Sequence, residues 1–140
     1  MTTMTPPAPD DYPSFYAGYV GKVPLSTGPM ALLESQVAAF QTLGALPEAS
    51  ANHRYAEGKW TVKELVGHMA DTERVFAYRL LRIARADETP MPGFDENAWA
   101  AAAPHASRTI ADIAAELIAV RGATLALMRS LDTTALARVA

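Results

Sequence analysis

The feature that most constrains the fold of this chain is an apolar stripe near its end. Its members are spaced three and four residues apart in unbroken alternation: Ile110, Ile113, Leu117, Val120, Thr124, Leu127 and Leu131. This spacing places about one side chain per turn on a single face of an α-helix. A narrow, regular stripe is typical of the seam between antiparallel helices in a bundle. We therefore predict a long helix over residues 107–131 that packs against others.

Two further helices are predicted upstream. The first covers residues 28–46, with Pro29 in its first turn and Pro47 beyond its end. The second covers residues 61–86 and opens with a capping box, in which Thr61 and Glu64 satisfy each other's backbone amides. We expect the following residues of this helix to face the core: Val62, Leu65, Val66, Met69, Phe76, Leu80 and Ile83.

The chain shows no alternating polar and apolar run of the kind that β-strands need, so the predicted fold class is all-α. A length of 140 residues fits one domain, and the 28 alanines favour helix. Five of the ten prolines fall within residues 1–26, which predicts an irregular lead-in. We predict a single up-down helical bundle domain over residues 1–140.

Composition excludes several function classes. The chain has no cysteine, which rules out disulfides and thiolate metal sites and fits a reducing cytoplasm. The net charge is −3 and the basic residues are dispersed, so a nucleic-acid partner is not expected. No segment has the length and hydrophobicity of a membrane span, and the first residues do not resemble a signal peptide. We expect a cytoplasmic protein without a membrane partner.

His68 is the candidate metal ligand. At 100° per residue it lies about 100° from the middle of the predicted apolar stripe of its helix, at the border between core and solvent. Neutral imidazole is the commonest protein ligand for divalent ions such as zinc and nickel. A hydrogen-bonded structural histidine is the alternative, and it is the commoner case. His53 and His105 fall in predicted loops, so a site built from all three histidines is disfavoured.

The residues of the same helix that could line a pocket near His68 are Asp71, Thr72 and Arg79. Asp71 and Thr72 are about one turn from His68, where a carboxylate could orient the ring or supply an oxygen ligand. Arg79 could meet an anionic substrate group. The alternative for Asp71 is a solvated carboxylate beside Arg74. The alternative for Arg79 is a side chain that faces water. Asp95 is expected to cap a short helical turn that directs Trp99 inward.

Residues 55–74 and 92–99 together resemble the DinB-like superfamily of four-helix bundles, near its bacillithiol-transferase-like branch. The resemblance implies a metal-dependent hydrolase or a thiol S-transferase that acts on a small-molecule thiol or electrophile. It implies a divalent metal, nickel or zinc, which makes a nucleophile of a bound water or thiol. His68 matches the first metal ligand of the family, and an HxxxH pair on a fourth helix supplies the other two. The resemblance also implies that the turn at residues 94–96 lies near the mouth of the pocket, which makes Asp95, Glu96 and Trp99 possible pocket residues.

The sequence departs from the family pattern because it contains no HxxxH pair. We therefore expect a bundle whose fourth helix is missing from this chain, and a metal site that one copy cannot complete. An uncovered apolar face is expected to find a partner, most simply a second copy in a homodimer. The rival hypothesis is a non-catalytic helical interaction or oligomerisation module.

Overall fold

The computed structural model describes residues 4–138. Residues 1–3 of the predicted lead-in and residues 139–140 of the predicted domain lie outside the described residues. The α-helices are α1 (Ala17–Val20), α2 (Gly28–Gly44), α3 (Glu48–Ala51), α4 (Val62–Ala84), α5 (Glu96–Ala102), α6 (Ile110–Arg129) and α7 (Thr133–Leu136). Short 3-10 turns cover Pro9–Asp11, Ser14–Tyr16 and His105–Ser107. Residues 4–138 contain no strand, so the all-α prediction is confirmed.

Polar side chains fix the starts of α4 and α6. At α4 the Glu64 amide donates to Thr61 Oγ1 at 3.1 Å, and the Thr61 amide donates to Glu64 Oε2 at 2.6 Å. This is the predicted capping box, and it satisfies two amides that have no partner within the helix. Thr109 caps α6 in the same way, since its hydroxyl accepts from the Asp112 amide at 3.1 Å. The helix starts therefore follow from local sequence.

The three long helices form an open layer with α6 in the middle. α6 packs along both α2 and α4, whereas α2 and α4 have far fewer contacts with each other. The core between them centres on Ile110, Ile113 and Leu117, which are fully buried against Phe40 and Val66. The stripe predicted for α6 therefore does form the seam of the layer. None of the helices in the described part of the chain is long and apolar enough to cross a membrane.

A buried ion pair crosses this core. Arg121 is only 5% exposed and donates to both carboxylate oxygens of Glu73, at 2.7 and 2.8 Å. Its guanidinium also donates to the Leu33 carbonyl at 2.8 Å and to Gln36 Oε1 at 2.9 Å, and it lies over the Phe40 ring. A buried charge is tolerated only when it is paired and hydrogen-bonded, as it is here. The network ties α6 to both α2 and α4.

The predicted core face of α4 is wrong at two positions. Leu65 and Phe76 are 48% and 54% exposed. The residues of α4 that are buried include Val66, Gly67 and Ala70. Small side chains allow a neighbouring helix to approach closely, and hydrophobic spacing alone does not reveal which side of a broad apolar surface will meet that neighbour. The helix is therefore rotated relative to the prediction.

A second ion pair joins three elements near the start of α4. Lys63 is buried, and its Nζ lies 2.5 Å from Glu48 Oε2 on α3. The other oxygen of Glu48 accepts from the Ile110 amide at 3.0 Å, at the start of α6. Lys63 and Ile110 together hold the pKa of the Glu48 carboxyl below its usual value. This contact fixes the end of the layer where Trp60 and His68 lie.

Candidate metal site and adjoining cavity

His68 lies on α4 about two turns beyond the Thr61 cap, and it is half-buried. Its ring packs against the indole of Trp60, with ring centroids 4.7 Å apart and planes tilted by 49°. The Thr72 hydroxyl lies 3.3 Å from Nδ1 and 3.4 Å from Nε2. Nearly equal distances to both nitrogens place the oxygen over the ring and not along either in-plane lone pair. The Thr72 contact therefore occupies neither nitrogen lone pair of His68.

Trp60 also forms part of the wall of a cavity of about 480 Å³. The other side chains that shape this cavity include His53, Tyr55, Lys59, Leu65 and Asn97. They come from the loop after α3, the start of α4 and the start of α5. The volume lies within the range of small-molecule pockets, about 300–1,000 Å³. His68 is not in the cavity wall itself, and it contacts the cavity through Trp60.

The structure places the predicted pocket residues in different surroundings. Thr72 contacts the His68 ring. Asp71 faces Arg74 at 3.6 Å, and Arg74 also donates to Glu116 on α6 at 2.6 Å. Arg79 donates to the Pro92 carbonyl at 3.0 Å, which ties α4 to the loop before α5. Of these residues, Thr72 is therefore the one that the structure brings to His68.

The predicted residues on α5 serve the helix itself. Asp95 Oδ1 accepts from the Ala98 amide at 3.0 Å, which is the predicted cap. Glu96 is exposed in the first turn. Trp99 packs on Phe94 with ring centroids 4.6 Å apart and is 43% exposed, so the prediction that it points inward is wrong. The helix is too short and too peripheral to bury this side chain. Its neighbour Asn97 lines the cavity instead.

His105 occupies a buried position on the other side of α4. Its side chain is 5% exposed, and neither ring nitrogen has a hydrogen-bond partner within residues 4–138. The ring lies so close to Gly67 that a Cβ there would be 2.2–2.5 Å from three ring atoms. His53 is exposed and lines the cavity. The three histidines therefore occupy three different environments.

The described residues provide one candidate metal ligand and no complete ligand set. Within residues 4–138, no three His, Asp or Glu side chains lie close enough together to hold a metal ion. A metal site needs three or four protein ligands. The residues present therefore fit a single ligand position at His68 and do not complete a metal site.

The sequence pattern identified His68 and the capping box but not the cavity. Tyr55, Lys59 and Asn97 carry no periodic signal, because each lies in a loop or a short helix. Trp60 directly precedes the Thr61 cap. An apolar residue at that position commonly packs against the first turns of the helix, so the sequence could have indicated that Trp60 lies against α4. The cavity depends on long-range packing, which local sequence does not encode.

The fold and the site define a helical-bundle protein with a candidate metal-ligating histidine on its second long helix. The chain belongs to the DinB superfamily, because the family model of that description matches residues 31–140. The family prediction made from residues 55–74 and 92–99 is thereby confirmed.

Two relatives add names to this family. A protein of Oceanobacillus iheyensis named "Putative metal-dependent hydrolase" is 36% identical over 61 residues, which cover 43% of this chain and 35% of the relative. The solved structure of YfiT from Bacillus subtilis, described as "a probable metal-dependent hydrolase with an unusual four-helix bundle topology", matches with a TM-score of 0.66 and 26% identity. That match covers 78% of this chain and 63% of YfiT. The chain thus spans about a third of one relative and just under two thirds of the other.

Proposed function

We propose that this chain is a metal-dependent hydrolase or thiol S-transferase of the DinB superfamily, with His68 as one protein ligand of a divalent ion, nickel or zinc. The observation that carries the proposal is the packing and hydrogen bonding of the His68 ring. It is held by Trp60, and neither nitrogen is taken up by an aligned protein hydrogen bond. The names of the two relatives support metal dependence.

The proposal requires further ligands from outside residues 4–138 of one copy. His53 and His105 do not join His68 in a ligand cluster. We infer that the missing ligands come from a second chain or from residues beyond this sequence. The substrate is then a small-molecule thiol or electrophile, and water or the thiol is the attacking group.

Metal analysis tests the proposal directly. Protein without a histidine tag is purified, loaded with nickel or zinc, and passed through a desalting column before its metal content is measured. Titration of the metal-free protein by calorimetry then gives the affinity. We expect His68→Ala to weaken binding at least about tenfold, since even loss of a group that only orients a ligand costs 10–100-fold.

His53→Ala is the matched control, because His53 is an exposed loop histidine. It should leave metal affinity unchanged. Equal metal binding by wild type and His68→Ala would contradict the proposal. So would a wild-type protein that retains no metal.

We propose a second candidate function on a separate observation. Leu65 and Phe76 are exposed on the same face of α4, and Met69 and Thr72 lie between them at helical spacing. This strip, with large apolar side chains exposed at its two ends, favours a protein interface. The occupant that we propose is a second copy of this chain, so that the protein acts as a helical interaction module in a homodimer.

A further inference from the structure

We propose that the cavity beside Trp60 is a binding site for a small aromatic carboxylate or a similar planar anion. The wall combines the Trp60 indole and the Tyr55 ring with the aliphatic side chain of Leu65. Aromatic and aliphatic walls bind a planar apolar group through burial and through offset or edge-on ring contacts. The apolar part of the wall therefore favours a ligand that contains a planar ring.

The charge of the wall favours an anion. The chain carries 15 acidic and 12 basic residues, yet no carboxylate lines this cavity. Lys59 supplies a positive charge at the wall, and His53, Thr61 and Asn97 supply polar groups beside it. One acid lies close by, since the Glu64 carboxylate accepts from the amide of the wall residue Thr61 at 2.6 Å. Because that carboxylate is engaged in the helix cap, Lys59 is the charged side chain of the wall, and it favours an anion over a cation.

The position of the cavity connects it to His68. Trp60 lines the cavity and also contacts the His68 ring, at 4.7 Å between ring centroids. A ligand stacked on Trp60 is therefore about one aromatic ring away from the candidate metal ligand. The interpretation of this ligand as the apolar part of a substrate rests on the proposed function. The proposal that the cavity binds the ligand does not depend on that function.

The test uses metal-free, nitrogen-15-labelled full chain and two probes of the same shape and opposite charge. The probes are 2-naphthoate and 2-naphthylmethylammonium. The chain has two tryptophans, so its NMR spectrum contains two indole N–H signals. The Trp60 signal reports binding in the cavity, and the Trp99 signal serves as an internal reference. We expect naphthoate to shift the Trp60 signal, to leave the Trp99 signal in place, and to bind about threefold more tightly than the cation, as one exposed charge allows.

Two variants with matched controls locate the site. Lys59→Glu should reverse the preference between the two probes, whereas Lys22→Glu, at an exposed lysine of the lead-in, should not. Tyr55→Ser should weaken naphthoate binding about fivefold through loss of a ring contact. Tyr19→Ser removes a similarly exposed ring elsewhere and should have no effect. Tyr55 and Lys59 are exposed, so neither substitution threatens the fold.

Three results would overturn the proposal: a shift at Trp99 without one at Trp60, equal affinity for the two probes, or full binding by Tyr55→Ser. Because metal is absent throughout, these outcomes are independent of whether His68 binds an ion. Binding of naphthoate with the expected pattern, together with a failed metal titration, would retain the ligand site and remove the hydrolase proposal.

Discussion

Single residues decide how closely the elements of this protein approach each other, and Gly67 is the clearest case. It lies inside α4, where alanine normally stabilises a helix by about 1 kcal/mol relative to glycine. Here the ring of buried His105 occupies the space of the missing side chain, since three of its atoms lie 2.2–2.5 Å from the point that a Cβ would occupy. The helix preference favours alanine at position 67, whereas the packing of His105 favours glycine. The short distances indicate that the packing has the larger effect on stability.

We expect Gly67→Ala to destabilise the protein by about 1–2 kcal/mol, because overpacking typically costs 1–3 kcal/mol and the helix preference offsets part of it. Urea denaturation measures the free energy of unfolding. Gly122→Ala is the matched control, since a Cβ on this α6 glycine would meet nothing within 4 Å. That variant should be stabilised by up to about 1 kcal/mol. In the His105→Ala background, the cost of Gly67→Ala should disappear, and a persistent cost would contradict this account.

Sequence predicted residues whose roles are local. Thr61, Glu64 and Asp95 were identified as capping residues because a cap and its partner are three residues apart. His68 was identifiable because its motif is compact. Contacts such as that between Gly67 and His105 join positions far apart in the chain, and no local pattern encodes them.

At the scale of elements, the Arg121 network is the main polar link between the long helices. Arg121→Ala should cost about 3 kcal/mol, because loss of one partner leaves the other charge of a buried pair unpaired. Glu73 would keep its carboxylate in the core, and the Leu33 carbonyl and Gln36 would each lose a donor. Urea denaturation gives the value.

Arg129→Ala provides the comparison for Arg121. Arg129 lies on the same helix as Arg121 and, like it, pairs with a glutamate. Its partner is Glu34 on α2, at 2.6 Å, and both side chains are well exposed. Its loss should cost no more than about 1 kcal/mol, since exposed pairs contribute little. Equal effects of the two substitutions would show that burial of the Arg121 pair is energetically unimportant.

The ion pairs between elements also predict how stability depends on pH. The Arg74 and Arg108 guanidinium groups hold the pKa of the Glu116 carboxyl below its usual value, as Lys63 does for Glu48. A carboxyl whose folded pKa is lowered binds protons more readily when unfolded, so its contribution is present above the unfolded pKa of about 4 and is lost as the pH falls below it.

We therefore expect the lowered carboxyl pKa values to make the free energy of unfolding decline as the pH falls below about 4.5. Urea denaturation at a series of pH values measures this decline. The decline should be shallower in Glu48→Gln and Glu116→Gln, because neither side chain can then titrate. Glu57→Gln, an exposed glutamate in the loop before α4, is the control and should follow wild type. A decline of the same slope in all four proteins would contradict the assignment.

At the scale of the whole molecule, sequence predicted the class of fold and the family but not the arrangement of surfaces. The spacing on α6 was sufficient to predict a seam, because both faces of that helix meet neighbours. α4 has apolar residues around more than half of its circumference, so spacing left its rotation open, and Leu65 and Phe76 proved exposed. The cavity is built from three separate segments, and its existence depends on that rotation.

The exposed strip of α4 leads to a prediction about assembly. Leu65 and Phe76 lie three turns apart on one face, and a two-fold contact would bring Leu65 of one copy towards Phe76 of its partner. We expect wild-type protein to form a dimer whose fraction rises with concentration in sedimentation velocity. Phe76→Glu should raise the dimer dissociation constant at least about tenfold, because a carboxylate beside Arg79 would have to lose its water where an apolar ring was buried.

Leu25→Glu is the control for that measurement, since Leu25 is 82% exposed on the lead-in and lies far from α4 in the chain. It should dissociate as wild type does. If Leu25→Glu dissolves the dimer and Phe76→Glu does not, the lead-in forms the contact instead of α4. A wild-type protein that stays monomeric up to high micromolar concentration would remove the interaction-module hypothesis, and a partner copy could then not supply the further ligands that the proposed metal site at His68 requires.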